Sequence, residues 1–167
     1  MKSLVLFSFF FLSALGSQSQ TTTEYLYSGL TKYVKEDYYG AIKDINKAIK
    51  LDDEYADAYM VRALCNGMLK NYIDVLYDLS TVIDINPEYK EAFVLRANTR
   101  KILADYSGAI DDYTRAIDVD DEYIEAYYRR GILRLELSQK DDGCMDLNSA
   151  KDLGYSKAEA IIAKYCN

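Results

Sequence analysis

The chain has 167 residues, a length that favours one domain. Half of its residues are hydrophobic and its formal charge is −7, a balance that excludes disorder and argues against nucleic acid and anionic membrane surfaces as partners. It contains no His, so the commonest general base and the commonest neutral metal ligand are missing.

The first stretch, MKSLVLFSFFFLSALGSQSQ, has one Lys, an apolar run from Leu4 to Leu15, and small residues at Ala14 and Gly16. That is the pattern of a secretory signal peptide, assigned to residues 1–19. The run is shorter than the about 20 residues a bilayer span needs. No membrane span is therefore expected after signal removal, with an uncleaved anchor as the alternative. No Cys follows the small residues, which argues against a lipid anchor. The expected location is exported, either periplasmic or secreted, and the remaining chain carries a charge of −8.

From residue 22 the sequence repeats itself at intervals of 34. Tyr25, Tyr59, Phe93 and Tyr127 form one column, and the small residues Gly29, Ala63, Ala97 and Gly131 another. Ala41, Val75, Ala109 and Gly143 are small again; Ile45, Leu79, Tyr113 and Leu147 are large and apolar. Ala48, Val82, Ala116 and Ala150, then Leu51, Ile85, Val119 and Leu153, complete the unit. Six columns held in register over four copies mark a repeat architecture. Apolar residues three, four and seven apart give a helical period within each unit, and the small columns allow two helix axes to approach closely.

Each unit therefore reads as two antiparallel helices. Asp37, Asn71 and Asp105 are placed to cap the second helices. Asn86 is expected to cap the following first helix, with Pro87 at its first position. Thr21 with Glu24 reads as a capping box for the first helix, and Ser156 with Glu159 as one for a last helix reaching about Tyr165. Gly154 is placed to stop the helix before it. The predicted organisation is a signal peptide at 1–19, repeats at 22–55, 56–89, 90–123 and 124–157, and a capping helix at 158–167.

The period and columns resemble the tetratricopeptide repeat (TPR) over residues 22–157. Two family positions are altered. Ser28, Arg62, Arg96 and Arg130 replace a Leu, and Lys32, Asn66, Arg100 and Arg134 replace a Tyr. The resemblance implies an all-α, right-handed superhelical solenoid of four helix pairs plus the cap. It also implies a concave face of first helices that binds a protein or peptide segment without chemistry. The residues matching that face are Leu26, Leu30, Tyr33, Met60, Leu64, Val94, Asn98, Lys101, Tyr128, Ile132 and Leu135. An exposed apolar surface of this kind marks a contact site, unless the residues pack between helices.

Cys144 falls on the second helix of the last repeat and Cys166 at the end of the capping helix, which must fold back along it. They are expected to form a disulfide, the alternative being two buried thiols; Cys65 is expected to be a buried free thiol. Asp44, Asp78, Asp112 and Asp146 also repeat at 34. Pairing each with the Arg of the following repeat predicts a ladder of Asp44–Arg62, Asp78–Arg96 and Asp112–Arg130, ending on Asp146–Lys164. The triplets Asp52–Asp53–Glu54 and Asp120–Asp121–Glu122 lack the Gly and twelfth ligand of a calcium loop. No nucleophile stands beside a base. The expectation is a non-enzymatic binding scaffold without metal or cofactor. A structural subunit of a homo-oligomer or envelope assembly is the alternative.

Overall fold

The computed structural model describes residues 21–166, and the signal-peptide assignment lies outside them. The described residues hold nine helices and no strand. Helix α1 covers 21–34, followed by α2 (Tyr38–Leu51), α3 (Ala56–Met68) and α4 (Tyr72–Ile85). After these come α5 (Lys90–Ile102), α6 (Tyr106–Val119), α7 (Ile124–Glu136), α8 (Lys140–Asp152) and α9 (Lys157–Tyr165). The chain divides into two compact units between Ile85 and Asn86. The first holds α1–α4 and the second α5–α9.

The turns inside the helix pairs share one backbone device. Glu36, Lys70, Ala104 and Ser138 all have φ of 62°. Each lets the next amide reach back over the helix end, as Asp105 N does to Arg100 O at 2.9 Å. An L-residue pays roughly 1–2 kcal/mol for this left-handed conformation, whereas glycine adopts it freely. Glycine also has more entropy to lose from the unfolded chain. Ala104→Gly should therefore stabilise the protein by roughly 0.5–1 kcal/mol, opposite in sign to the same change inside a helix. A higher urea midpoint at unchanged slope is the expected result.

Asp37 and Asp105 cap α2 and α6 as expected, accepting from Gly40 N at 2.9 Å and Gly108 N at 3.0 Å. Asn71 instead turns its amide to Asn66 Oδ1, at 3.3 Å. Asn86 does not cap α5, because that helix starts only at Lys90 with Tyr89 in the cap position. Asn86 Oδ1 accepts from Glu88 N at 3.1 Å, and Asp52 and Asp120 do the same to Glu54 N and Glu122 N, at 3.2 and 3.0 Å. The acidic triplets and the Asn-Pro-Glu stretch are thus side-chain-closed turns between helix pairs. The capping box expected at Thr21 falls at the edge of the described residues, where Thr21 is already helical. Ser156 precedes α9 but makes no side-chain cap bond. Gly154, with φ of 98°, ends α8, and Tyr155 N closes on Ala150 O at 2.9 Å.

The small columns let paired helices touch. A Cβ on Gly131 would meet Gly143 O at 3.0 Å, and one on Gly143 would meet Gly131 O at 2.9 Å. The backbones of α7 and α8 are therefore in contact. In the first unit, Leu26, Ala41, Ile45, Ala48, Ala58, Val61 and Cys65 form the core, with Leu30, Tyr33 and Tyr38 packed around it. In the second, Leu147, Ala150 and Ala158 anchor a cluster that draws in Tyr128, Ile132, Leu135 and Ile162.

Cys144 and Cys166 are joined, with Cα atoms 5.7 Å apart, and the bond ties α9 to α8. Cys65 is a buried free thiol whose pKa burial pushes up to about 11. Thiol titration of the denatured, unreduced protein should count one thiol, and the folded protein none that reacts at neutral pH.

The repeating aspartates are buried but do not form the predicted ladder. Each pairs within its own repeat. Asp78 takes the fork of Arg62, with Nη2 to Oδ1 at 2.6 Å. Asp112 takes Arg96 in the same way at 2.7 Å, and Asp146 takes Arg130 at 2.7 Å. Hence Asp44–Arg62, Asp78–Arg96 and Asp112–Arg130 are not the pairs, and Asp146 does not use Lys164, whose ammonium lies 4.8 Å over the Tyr165 ring. The physical reason is the close approach of paired helices, which brings positions 16 apart face to face. A second group from the first helix completes each site: Arg100 reaches Asp112 at 2.8 Å and Arg134 reaches Asp146 at 2.8 Å.

The arginines still connect repeats, through neutral acceptors. Arg62 Nη1 donates to Asn46 Oδ1 at 2.6 Å, and Arg130 Nη1 to Thr114 Oγ1 at 2.8 Å. The planar fork holds the carboxylate with two nitrogens while the third reaches the neighbouring repeat.

Asp44 has no Arg. It accepts from Ser28 Oγ at 2.7 Å, Lys32 Nζ at 2.5 Å and Lys47 Nζ at 2.9 Å. The hydrogen bonds from Lys32, Ser28 and Lys47 hold its carboxyl well below the usual range. A depressed folded pKa gives stability that is present above the ordinary carboxylate pKa near 4 and is lost as pH falls through the folded value. Asp44→Asn should therefore destabilise at pH 7, while its difference from wild type shrinks in denaturation curves taken below about pH 4.

Candidate functional site

Three of the residues expected on the binding face are interior. Leu26 is 7 % exposed, Met60 7 % and Val94 2 %. They pack between the helices and offer no exposed surface to a partner. Leu30, Tyr33 and Leu64 are half-buried in the first unit, and the first two pack against its core.

The second unit gathers the rest. Asn98, Lys101, Tyr128 and Ile132 line one cleft together with Tyr113 and Arg129. Asn98 and Lys101 stand on α5, and Tyr128, Arg129 and Ile132 on α7. The buried Tyr113 of α6 donates from its hydroxyl to Asn98 Oδ1 at 2.6 Å. Burial pushes the Tyr113 phenol up to about 12, so it remains a donor at neutral pH. Arg129 Nη1 approaches the same Oδ1 at 3.5 Å and Nε binds Glu125 at 2.6 Å. Lys101 pairs with Glu136 at 2.7 Å. Sequence reasoning missed Tyr113 and Arg129. Tyr113 falls in a column of core residues, and only its hydroxyl distinguishes it from Ile45, Leu79 and Leu147.

Two further clefts along α7 share part of the lining of this one. Towards the N-terminus of the helix it shares Tyr128 and Arg129 with a cleft of ≈ 690 Å³ that is lined also by Glu122, Tyr123, Ile124 and Tyr155. Towards the C-terminus it shares Ile132 with a largely apolar one of ≈ 500 Å³, lined by Leu135 and by Ile161 and Tyr165 of α9. The turns of α7 at Ile124, Tyr128, Ile132 and Leu135 are spaced at four, four and three, so they present one stripe. The result is a groove floored by α7 and walled by α5 at one part and by the disulfide-held α9 at another.

Ring and aliphatic carbon make the floor, while Asn98, Lys101, Arg129 and Glu136 sit at the margin in mutual contact. Among the described residues no group of three or more metal-ligating side chains comes together.

Helix pairs with this repeat and this packing define a TPR-type helical array. No family model matches the sequence, and no curated protein matches it. Solved structures do. MamA is similar with a TM-score of 0.76 and 22 % identity, over 84 % of this chain and 78 % of that one. The first TPR of Spaghetti (RPAP3), bound to the HSP90 peptide SRMEEVD, has a TM-score of 0.68 and 22 % identity, over 72 % and 95 %. YrrB, a TPR protein with an unusual peptide-binding site, has a TM-score of 0.73 and 18 % identity, over 92 % and 87 %. These likenesses establish the fold.

Proposed function

We propose that the protein is a non-enzymatic scaffold of an extracytoplasmic compartment that holds a segment of another protein along α7. The observation that carries this reading is that three clefts lie along α7 and share Tyr128, Arg129 and Ile132 in their linings. Two of the similar structures are of peptide-binding TPR proteins, which supports a peptide as the occupant. The bonded Cys144–Cys166 pair fits an oxidising compartment, as does the apolar leader of the sequence. Leu30, Tyr33 and Leu64 would offer a corresponding surface on the first unit.

Ile132 is the residue that tests the site. It is half-buried at the junction of two clefts. A carboxylate there would have to be desolvated by any apolar ligand. Ile132→Asp should weaken peptide binding by about tenfold or more while leaving the helical circular dichroism unchanged. Unchanged affinity in a fluorescence titration would move the site elsewhere.

A further inference from the structure

The two ends of the groove differ in chemistry, and the difference selects a partner. At the α9 end, Leu135, Ile161 and Tyr165 make an apolar pocket. At the other end, Tyr123, Tyr128 and Tyr155 stand with the carboxylates of Asp120, Glu122 and Glu125. Tyr128 and Tyr155 meet edge to face, with centroids 4.8 Å apart. Two cations line this cleft, and both are already neutralised: Lys90 by Asp120, and Arg129 by Glu125 at 2.6 Å. The Glu122 side chain is exposed and has no partner among the described residues. Among the charged side chains that line the cleft, Glu122 is therefore the one not held in an ion pair.

The same cleft shows what such a surface attracts. The Lys90 ammonium rests 5.0 Å over the Tyr123 ring while it pairs with Asp120. Lys157 lies 5.9 Å over Tyr155. Lysines of the chain itself thus settle on two of the three tyrosines, as ammonium groups do on electron-rich ring faces.

Resting on the groove reading above, we propose that the partner segment is bipartite: a Lys or Arg beside Glu122 and the tyrosines, and an aliphatic or aromatic side chain in the Leu135–Ile161–Tyr165 pocket. Ile124 and Leu135 are separated by about 16 Å of helical rise, a distance spanned by about five extended residues. The two anchors are accordingly about five residues apart in an extended peptide.

A random dodecapeptide display library panned on the whole oxidised chain tests this. Enriched sequences should carry a basic residue about five positions from an apolar one. Their affinity should fall about threefold for Glu122→Gln and about tenfold for Glu122→Lys, and should decline with added salt. Glu122 is exposed, so neither change threatens folding. Peptides that depend on Ile132 but are acidic, or that bind Glu122→Lys as well as wild type, overturn the basic-anchor proposal and leave the groove standing. If no enriched peptide is sensitive to Ile132→Asp, the groove reading itself fails and the proposal with it.

Discussion

Replacing Asp146 with Ala should cost about 3–5 kcal/mol, the largest loss expected from any single substitution of a charged residue in the chain. The carboxylate is 3 % exposed. It receives Nε and Nη2 of Arg130 at 3.0 and 2.7 Å and Nη1 of Arg134 at 2.8 Å. Removing it strands two guanidinium groups that are themselves 11 % and 21 % exposed. Stranded charge, rather than a lost contact, sets the magnitude. A second variant separates these causes. Asp146→Leu combined with Arg130→Leu and Arg134→Tyr removes all three charges and restores the TPR-type apolar pattern at the two altered columns. That triple variant should recover most of the loss, because apolar replacement of a buried ionic cluster is often neutral or stabilising. Urea denaturation of the two variants decides the matter. A loss under 1 kcal/mol for Asp146→Ala would place the cluster with ordinary surface pairs.

Removing the disulfide should cost about 3 kcal/mol, judged from the closure of a loop with its ends 22 residues apart. Helix α9 has nine residues, below the length at which an isolated helix holds in water. Only Ala158 of α9 is fully buried. With Cys144→Ser and Cys166→Ser, α9 should lose protection from amide exchange before the rest of the second unit does. The apolar end of the groove would go with it, since Ile161 and Tyr165 form its wall. Equal exchange of α9 in the bonded and serine forms would show that packing alone fixes the cap.

Most of the fold was legible because its determinants are local and periodic. Small residues recur where helices touch, and the Asp37 and Asp105 caps stand at fixed offsets. The last helix was read from Gly154 and from the Ser156–Glu159 pair, of which Ser156 makes no cap bond, and the cysteine pair followed once that helix had to fold back. The ion pairs were misread for a physical reason. Ser28 carries no charge, so the aspartate column has one arginine too few for pairing within each repeat. In the structure Ser28 donates its hydroxyl to Asp44, and Lys47 supplies the missing charge. The signal that would have corrected the register was the second altered column. Lys32, Asn66, Arg100 and Arg134 depart from the TPR pattern together with Ser28, Arg62, Arg96 and Arg130, and both columns face one aspartate per repeat.

The groove was half legible. Asn98, Lys101, Tyr128, Ile132 and Leu135 lie on it, because a first helix exposes a predictable stripe. Leu26, Met60 and Val94 occupy equivalent-looking positions yet are buried. Helical period alone does not say which edge of an apolar stripe the neighbouring helices cover.

If the α7 groove holds a different protein, that protein lies within reach of side chains on α7. Site-specific photo-cross-linking in the source cells tests it most directly. A benzophenone amino acid would be placed at Glu125, which is exposed and lines the groove, and as a control at Asp111, which is exposed on α6. The expected result is a discrete adduct from Glu125 alone, with tryptic peptides of a second protein joined to α7. An adduct of twice the chain's own mass, or the same products from both positions, would contradict it.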